Sequence, residues 1–182
     1  MDLITHIALL RGVNVGGRQL VAMADLRALL ADLGLVAPRS LLQSGNLSFQ
    51  CPATPTPELE ALLESRVETR LRLRTEVMVR TAAEWREVVA ANPYPREAAD
   101  APARLVAMVF KAAPAAQAVI ALRAALRDRE TLEARGRELF IFYQEGIGNS
   151  RLTTALIDRT LCQRGTARNW NTVLKLAAMT GS

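Results

Sequence analysis

The chain has 182 residues, of which 50% are hydrophobic and only 4% aromatic, and it carries a net charge of +5. This length and composition allow one large domain or two small ones, with a core of mainly Ala, Leu and Val. A single histidine and two distant cysteines leave no ligand set for zinc, so we expect no metal site. No stretch approaches the ~20 apolar residues of a membrane span, so we expect a cytoplasmic protein without a membrane partner.

The first half of the chain predicts the order strand, helix, strand, strand, helix, strand. Leu26, Leu29, Leu30 and Leu33 recur at the spacing of one helical face. The Ser44-Gly45 pair separates two short β-type runs and indicates a hairpin. The predicted strands lie at about 4–10, 40–43, 46–51 and 75–80, and the predicted helices at about 23–33 and 57–72.

The second half repeats this order after a helix and a linker. Thr81 and Glu84 have the spacing of a capping box for the intervening helix, and the Pro- and Ala-rich stretch at 91–104 predicts the linker. The predicted strands lie at about 104–110, 131–135, 138–143 and 166–168, and the predicted helices at about 114–126, 151–163 and 170–179. Ser150 and Asn169 are the predicted N-caps of the last two helices.

The repeated order βαββαβ is that of the ferredoxin-like plait. We therefore expect an α+β fold of two ferredoxin-like halves packed together, with an extra C-terminal helix, produced by internal duplication. The expected boundaries are 1–80 for the first half, 81–103 for the capping helix and linker, and 104–182 for the second half with its terminal helix.

Two glycine-bearing loops are candidate ligand sites. The loop at 11–18 matches neither the P-loop nor the dinucleotide-binding pattern. Its glycine N–H groups, flanked by Arg11 and Arg18, could hold an anion, or the loop could be a turn that needs positive φ. The loop at 144–150 leads towards a predicted helix N-terminus, which attracts anions. Arg151 would then oppose its own helix dipole unless an anion or a carboxylate lies nearby.

Two further polar segments admit a structural and a functional interpretation. The segment 43–46 can be a simple turn, or it can present Gln43 and Asn46 to a ligand. In the segment 166–172, Trp170 suits the core, which leaves Arg168 and Asn171 as surplus polar groups. His6 is the single histidine and no close carboxylate pair stands out, so the sequence assigns no catalytic residue and no cofactor.

Five segments, in chain order, resemble a known bacterial family. They are IALLRGVNVGG, MADLRALLADLGL, LLQSGN, GIGNSRLT and TARNWNTVLKL. Together they are similar to the family called domain of unknown function 1697. The resemblance implies two ferredoxin-like halves and implies no reaction. The family pattern often has Tyr in place of His6, which argues against a shared catalytic role, and Lys in place of Arg151, which keeps a cation there.

These observations predict a module that binds a small anionic or phosphate-bearing ligand in a cleft lined by the glycine-rich loops. The open alternatives are an orphan enzyme that uses the same cleft, nucleic-acid binding driven by phosphate contacts, and a protein-interaction module. The predicted ligand-binding residues are Arg11, Asn14, Gly16, Gln43, Asn46, Ser150, Arg151, Arg168 and Asn171.

Overall fold

The structure is a computed structural model that describes residues 2–15 and 20–181. Within these residues the fold is α+β, with two four-stranded antiparallel sheets and seven α-helices. The predicted fold class is therefore confirmed at this level. Contacts between Cα atoms divide the chain into two compact units, the first formed by Met1–Glu87 with Lys175–Ser182 and the second by Val88–Leu174. None of the described helices is long and apolar enough to cross a membrane.

The first unit contains one sheet in the order β2-β3-β1-β4, with β1 pairing antiparallel to both β3 and β4. Its elements are β1 (Leu3–Leu10), α1 (Met23–Asp32), β2 (Val36–Leu41), β3 (Asn46–Pro52), α2 (Thr56–Leu71), β4 (Val77–Thr81) and the start of α3 (Ala82–Ala90). The core includes Leu30 of α1 and Leu63 of α2, which belong to one buried apolar cluster with Phe49 of β3.

Two glutamates of α2 complete the hydrogen bonding of the edge strand β4. The Val79 N–H donates to Glu60 Oε1 over 2.9 Å, and the Val77 N–H donates to Glu64 Oε1 over 2.8 Å. An edge strand with unpaired N–H groups is a template for unwanted strand pairing. The α2 carboxylates accept hydrogen bonds from these two donors, so neither donor is available to pair with another strand.

The second unit has the same strand arrangement, with its sheet in the order β6-β7-β5-β8. Its elements are the end of α3, α4 (Pro95–Asp100), β5 (Leu105–Val109), α5 (Ala116–Ala124), β6 (Glu130–Arg135), β7 (Glu138–Tyr143), a 3₁₀ turn (Ile147–Asn149), α6 (Thr154–Leu161), β8 (Thr166–Asn169) and the start of α7 (Trp170–Met179). Met108 and Ile141 on the central strands and Leu122 on α5 are members of its apolar core.

Two predicted helix caps are confirmed. Glu84 Oε2 accepts the Thr81 N–H over 2.7 Å and Thr81 Oγ1 accepts the Glu84 N–H over 3.1 Å, which completes the capping box of α3. At the start of α7, Asn169 Oδ1 accepts the Thr172 N–H over 3.0 Å. Both caps use local residue pairs, so sequence spacing was sufficient to find them.

Three predicted element bounds are wrong. The helix predicted from residue 151 is α6, which begins only at Thr154 and is capped by Thr153, whose Oγ1 accepts the Leu156 N–H. The stretch predicted as linker contains α4, which starts on Pro95, a residue suited to a first helical turn. The strand predicted at 40–43 is β2, which runs from Val36 to Leu41.

Candidate functional site

Asn14 uses its whole side-chain amide to hold the first glycine-bearing loop. Its Nδ2 donates to the Val21 carbonyl over 2.9 Å and to the Gln43 carbonyl over 2.6 Å. Its Oδ1 accepts the Val21 N–H over 2.8 Å. Asn14 has φ 55°, a left-handed conformation that Asn tolerates better than most residues. Gly16, with its neighbours Gly17, Arg18 and Gln19, lies outside the described residues.

The β2–β3 hairpin tip is also held by its own polar groups. Asn46 is completely buried, and its Nδ2 donates to the Leu41 carbonyl and to Ser44 Oγ, both over 3.0 Å. Gly45 has φ +69°, and a Cβ at this position would lie 2.8 Å from the Leu10 Cβ. The sequence Ser-Gly-Asn therefore builds the turn, while Gln43 is exposed beside it.

Arg11 joins the end of β1 to the segment before β4 through its backbone. Its N–H donates to the Glu76 carbonyl over 2.9 Å, and its carbonyl accepts the Thr75 hydroxyl over 2.8 Å. The residue is half-buried.

A β-bulge in β2 places a different arginine on the sheet surface. Val36 pairs with Gln50 and Arg39 pairs with Ser48, so three residue steps on β2 oppose two on β3. Ala37 provides the extra residue in a left-handed conformation, with φ 49°. Since residues two apart on a strand share a face, the bulge puts Arg39 on the face of Ser48 and Gln50. A regular strand would have put Arg39 on the opposite face.

Arg39 lines a polar cleft of about 260 Å³ in the first unit, which we call the Arg39 cleft. Its lining residues are Thr5, Ala37, Arg39, Ser48, Phe49, Gln50, Ala178, Met179, Thr180 and Gly181. Arg39 is the single charged residue among them and is exposed. Its side chain has no ion pair within the described residues. Arg39 is not among the residues predicted from the sequence, because nothing in the local pattern predicts the bulge that directs it.

A second cleft, of about 530 Å³, lies in the second unit beside the glycine-bearing loop, and we call it the Glu130 cleft. Its lining residues are Arg127, Asp128, Arg129, Glu130, Tyr143, Gln144, Glu145, Gly146, Asn149 and Ser150. They include three carboxylates and two guanidinium groups. Arg129 and Glu145 form an exposed ion pair with 3.7 Å between Nη1 and Oε1.

Arg151 is bound to Asp128 of this cleft, not placed at a helix N-terminus. Its Nη2 donates to Asp128 Oδ1 over 2.7 Å, and its backbone N–H donates to Asp128 Oδ2 over 3.0 Å. These hydrogen bonds lower the pKa of Asp128 and raise the pKa of Arg151. The carboxylate expected near Arg151 exists, but the predicted clash with a helix dipole does not, since α6 starts three residues later.

Glu130 is the buried carboxylate of the cleft, with 7% of its surface exposed. Its Oε1 accepts the hydrogen bond of the Ser150 hydroxyl. Its Oε2 is buried and has no hydrogen-bond partner within the described residues. The Ser150 oxygen in turn accepts the Leu152 N–H over 2.9 Å. Ser150 is therefore not the N-cap of α6, and its hydroxyl holds the Glu130 carboxylate instead.

Tyr143 forms one wall beside this carboxylate. Burial and the negative charge of Glu130 raise the pKa of Tyr143 to about 12. The Tyr143 hydroxyl donates to the Leu152 carbonyl over 3.4 Å. The phenol is therefore neutral at physiological pH and contributes an apolar surface next to Glu130.

The two remaining predicted residues do not line the Glu130 cleft. Arg168 is buried, and its Nη1 donates to Thr166 Oγ1 over 2.7 Å and to the Ala167 carbonyl over 2.9 Å. Burial lowers the pKa of Arg168 to about 10. Asn171 is exposed in the first turn of α7. Of the four residues predicted in this unit, Ser150 lines the cleft and Arg151 binds one of its carboxylates.

Neither cleft contains an evident metal centre. Across residues 2–15 and 20–181, no group of three or more His, Cys, Asp or Glu side chains could hold a metal ion. His6 is completely buried, with its Nδ1 3.0 Å from the Ile4 carbonyl and its ring stacked on Phe49. It lines neither cleft.

Comparison with known proteins gives a shared fold and a family. The structure is similar to that of the conserved bacterial protein SP0830 from Streptococcus pneumoniae, with a TM-score of 0.77 and 24% sequence identity over 98% of this chain and 99% of that chain. This likeness concerns the fold alone. No curated protein matches the chain. Residues 3–140 match the family described as "Protein of unknown function (DUF1697)". The chain therefore belongs to the DUF1697 family, as its five motif segments predicted.

Proposed function

We propose that the first unit binds a small anionic ligand, such as a phosphate-bearing one, in the Arg39 cleft. The observation that carries this proposal is the isolation of Arg39, which is the one charged residue of the cleft and has no ion pair within the described residues. A guanidinium group presents a planar fork of donors that matches phosphate and carboxylate oxygens. An anion in the cleft would give this arginine its partner.

The other polar groups of the cleft suit the same kind of ligand. Thr5, Ser48 and Thr180 bring hydroxyl groups and Gln50 brings an amide, all of them able to donate to an oxygen. Gln50 Nε2 donates a long hydrogen bond of 3.3 Å to Thr5 Oγ1. A ligand oxygen could accept from Gln50 in place of Thr5. A volume of about 260 Å³ is slightly below the ~300–1,000 Å³ of typical small-molecule sites, which favours a small ligand.

The strained bulge also supports a role for Arg39. A left-handed Ala37 costs roughly 1–2 kcal/mol relative to an ordinary conformation. Bulges that redirect a side chain are found next to functional sites, and local strain is often retained there. Here the bulge places Arg39 on the sheet face that carries Ser48 and Gln50.

The Arg39 cleft suits an anion better than the loops that the sequence indicated. The Asn14 amide is used within its own loop and on the Gln43 carbonyl of the hairpin, and the Asn46 amide is used within the hairpin tip. In the Glu130 cleft, Arg129 and Arg151 are already paired with Glu145 and Asp128, and the buried Glu130 adds a negative charge, which disfavours an anion. A ligand contact of Arg11, Gln43, Arg168 or Asn171 stays a prediction.

Calorimetric titration with inorganic phosphate and with glycerol phosphate tests the proposal. Wild type should bind at least one of them, and Arg39→Gln should bind about tenfold more weakly or not at all, since charged hydrogen bonds contribute about 1.5–3 kcal/mol. The matched control is Arg70→Gln, which removes an exposed arginine of the same unit that is already paired with Asp32 at 2.9 Å. Equal losses in the two variants would mean that general charge, not the cleft, attracts the anion.

Two finer structural points belong to the same proposal. We take each unit to be a ferredoxin-like plait, supported by the element order and by the matching sheet orders β2-β3-β1-β4 and β6-β7-β5-β8. We take the protein to work in the reducing cytoplasm, supported by Cys51 and Cys162, which are both free thiols. An enzymatic reaction and nucleic-acid binding stay predictions, and retention on heparin that disappears with salt would favour the second.

A further inference from the structure

Glu130 has a hydrogen-bonding requirement that its own unit does not meet. The Ser150 hydroxyl satisfies Oε1, but Oε2 is buried and has no partner within the described residues. A buried carboxylate oxygen without a donor is costly, more so than a neutral group. Such an atom in a cleft wall is an acceptor for a donor that comes from outside the chain.

The donors near this carboxylate are engaged elsewhere. Arg151 gives its Nη2 and Nε hydrogens to Asp128, and Arg129 pairs with Glu145. The Tyr143 hydroxyl donates to the Leu152 carbonyl. Arg127 is exposed and makes no hydrogen bond to Glu130 Oε2.

The cleft has the size and charge for a small cation. Its volume of about 530 Å³ falls inside the ~300–1,000 Å³ range of small-molecule sites. Arg151 binds Asp128 and Arg129 pairs with Glu145, which leaves Glu130 as the carboxylate of the lining without an ion pair within the described residues. The neutral ring of Tyr143 adds an apolar wall suited to an alkyl or aromatic body. Gly146 lines the cleft, and a Cβ added to it would meet nothing within 4 Å.

We infer that the Glu130 cleft is a second binding site, which takes a small molecule through a protonated amine that donates to Glu130 Oε2. The alkyl or aromatic body of the amine lies against Tyr143. Ser150 is a positioning residue, because its hydroxyl fixes the carboxylate through Oε1. The site is separate from the anion site proposed for Arg39 and does not depend on it.

Titration of ¹⁵N-labelled protein with n-butylammonium tests the inference by NMR, with tyramine as a second probe that carries an aromatic body. Wild type should give saturable shifts of the amides around 127–130 and 143–150, and n-butanol should give none, because it lacks the charge. Glu130→Gln should weaken amine binding by about tenfold or more. The control Glu145→Gln removes a carboxylate of the same cleft that is already paired with Arg129, and it should weaken binding by less than about threefold.

The ¹³C shift of the Glu130 δ-carboxyl carbon in wild type gives a second measurement that needs no variant. It should move with n-butylammonium and stay constant with n-butanol. The inference is overturned if neither amine gives saturable shifts, if n-butanol binds as well, if Glu130→Gln binds like wild type, or if the Glu130 carboxyl signal does not respond. Arg39→Gln should bind the amine as wild type does, so failure of the anion site and failure of this one are distinguishable.

Discussion

The Asn14 side chain donates a hydrogen bond to the Gln43 carbonyl, with 2.6 Å between Nδ2 and the oxygen. The sequence singled out both residues, and the structure brings them together. They meet, however, through a side chain and a backbone group that tie the first glycine-bearing loop to the β2–β3 hairpin. The contact gives the Asn14 side chain a structural role that needs no ligand.

The Asn14→Ala substitution should therefore lower stability. It removes two donated hydrogen bonds and one accepted bond, and it puts alanine at φ 55°. We expect a loss of about 2–3 kcal/mol in the free energy of unfolding, at about 1 kcal/mol for each net hydrogen bond. Urea denaturation measures it. The control Asn171→Ala changes an exposed residue and should stay within about 0.5 kcal/mol of wild type.

Gly45 and Gly34 form a matched pair for testing the hairpin tip. Both have positive φ, +69° and +76°, so alanine is strained at either position. At Gly45 the added Cβ would also lie 2.8 Å from the Leu10 Cβ, whereas at Gly34 it would meet nothing within 4 Å. We expect about 1 kcal/mol of destabilisation for Gly34→Ala and clearly more for Gly45→Ala, measured by thermal unfolding. Equal losses of stability in the two variants would show that the hairpin tip shifts to accommodate the added Cβ without an energetic cost.

The local features of the fold were predictable because they depend on residues close in sequence. The capping box of Thr81 and Glu84 and the cap at Asn169 both follow from fixed short spacings. Short β-type runs predicted the strands, although the start of β2 is four residues earlier than predicted. Pro95 is a residue that favours a first helical turn and so could have indicated the start of α4. The Ala content of the segment favoured a linker instead.

The candidate sites depend on contacts that the sequence does not show. Arg151 looked like a residue of a helix start because its partner Asp128 lies 23 positions away. The sequence does not predict a binding role for Arg39, because only the pairing of β2 with β3 reveals the bulge at Ala37. Nothing in the sequence distinguishes Glu130 from the other carboxylates, because its burial and its unpartnered Oε2 are properties of the folded structure.

His6 should make stability depend on pH in a narrow window. Burial lowers its pKa below the ordinary 6.5, in spite of the Ile4 carbonyl and the charge of Glu84, which raise it. As the pH falls through 6.5 the unfolded chain takes up a proton before the folded one, so stability falls. The contribution is fully present above pH 6.5 and is lost below it.

Denaturation of wild type and His6→Phe between pH 7.5 and 5 checks this prediction. Phenylalanine keeps a ring against Phe49, which stacks on His6 with 5.6 Å between ring centroids. Wild type should lose stability as the pH falls, and the variant should lose less over the same range. Parallel curves for the two proteins would rule out a contribution from His6.

Tyr143 should ionise late. Its pKa of about 12, against an ordinary 10.0, comes first from burial and then from the charge of Glu130. Burial also raises the pKa of Tyr94, the other tyrosine. An ultraviolet pH titration should show no tyrosine with a midpoint at or below 10.0 in the folded protein. Glu130→Gln should lower the midpoint of Tyr143, because it removes a negative charge next to the phenol; an unchanged midpoint would place that charge elsewhere.

The Arg39 Nε–Hε resonance tests the central claim most directly, because it reports on the guanidinium group that is proposed to hold the anion. Its ¹H–¹⁵N signal, assigned by its loss in Arg39→Gln, can be followed while inorganic phosphate or glycerol phosphate is added at constant ionic strength. We predict a saturable shift of this signal, with the backbone amides of Ser48 and Gln50 moving at the same ligand concentration. An Arg39 signal that stays fixed with both probes, or that moves only in proportion to exposed arginines such as Arg70, would contradict the anion site.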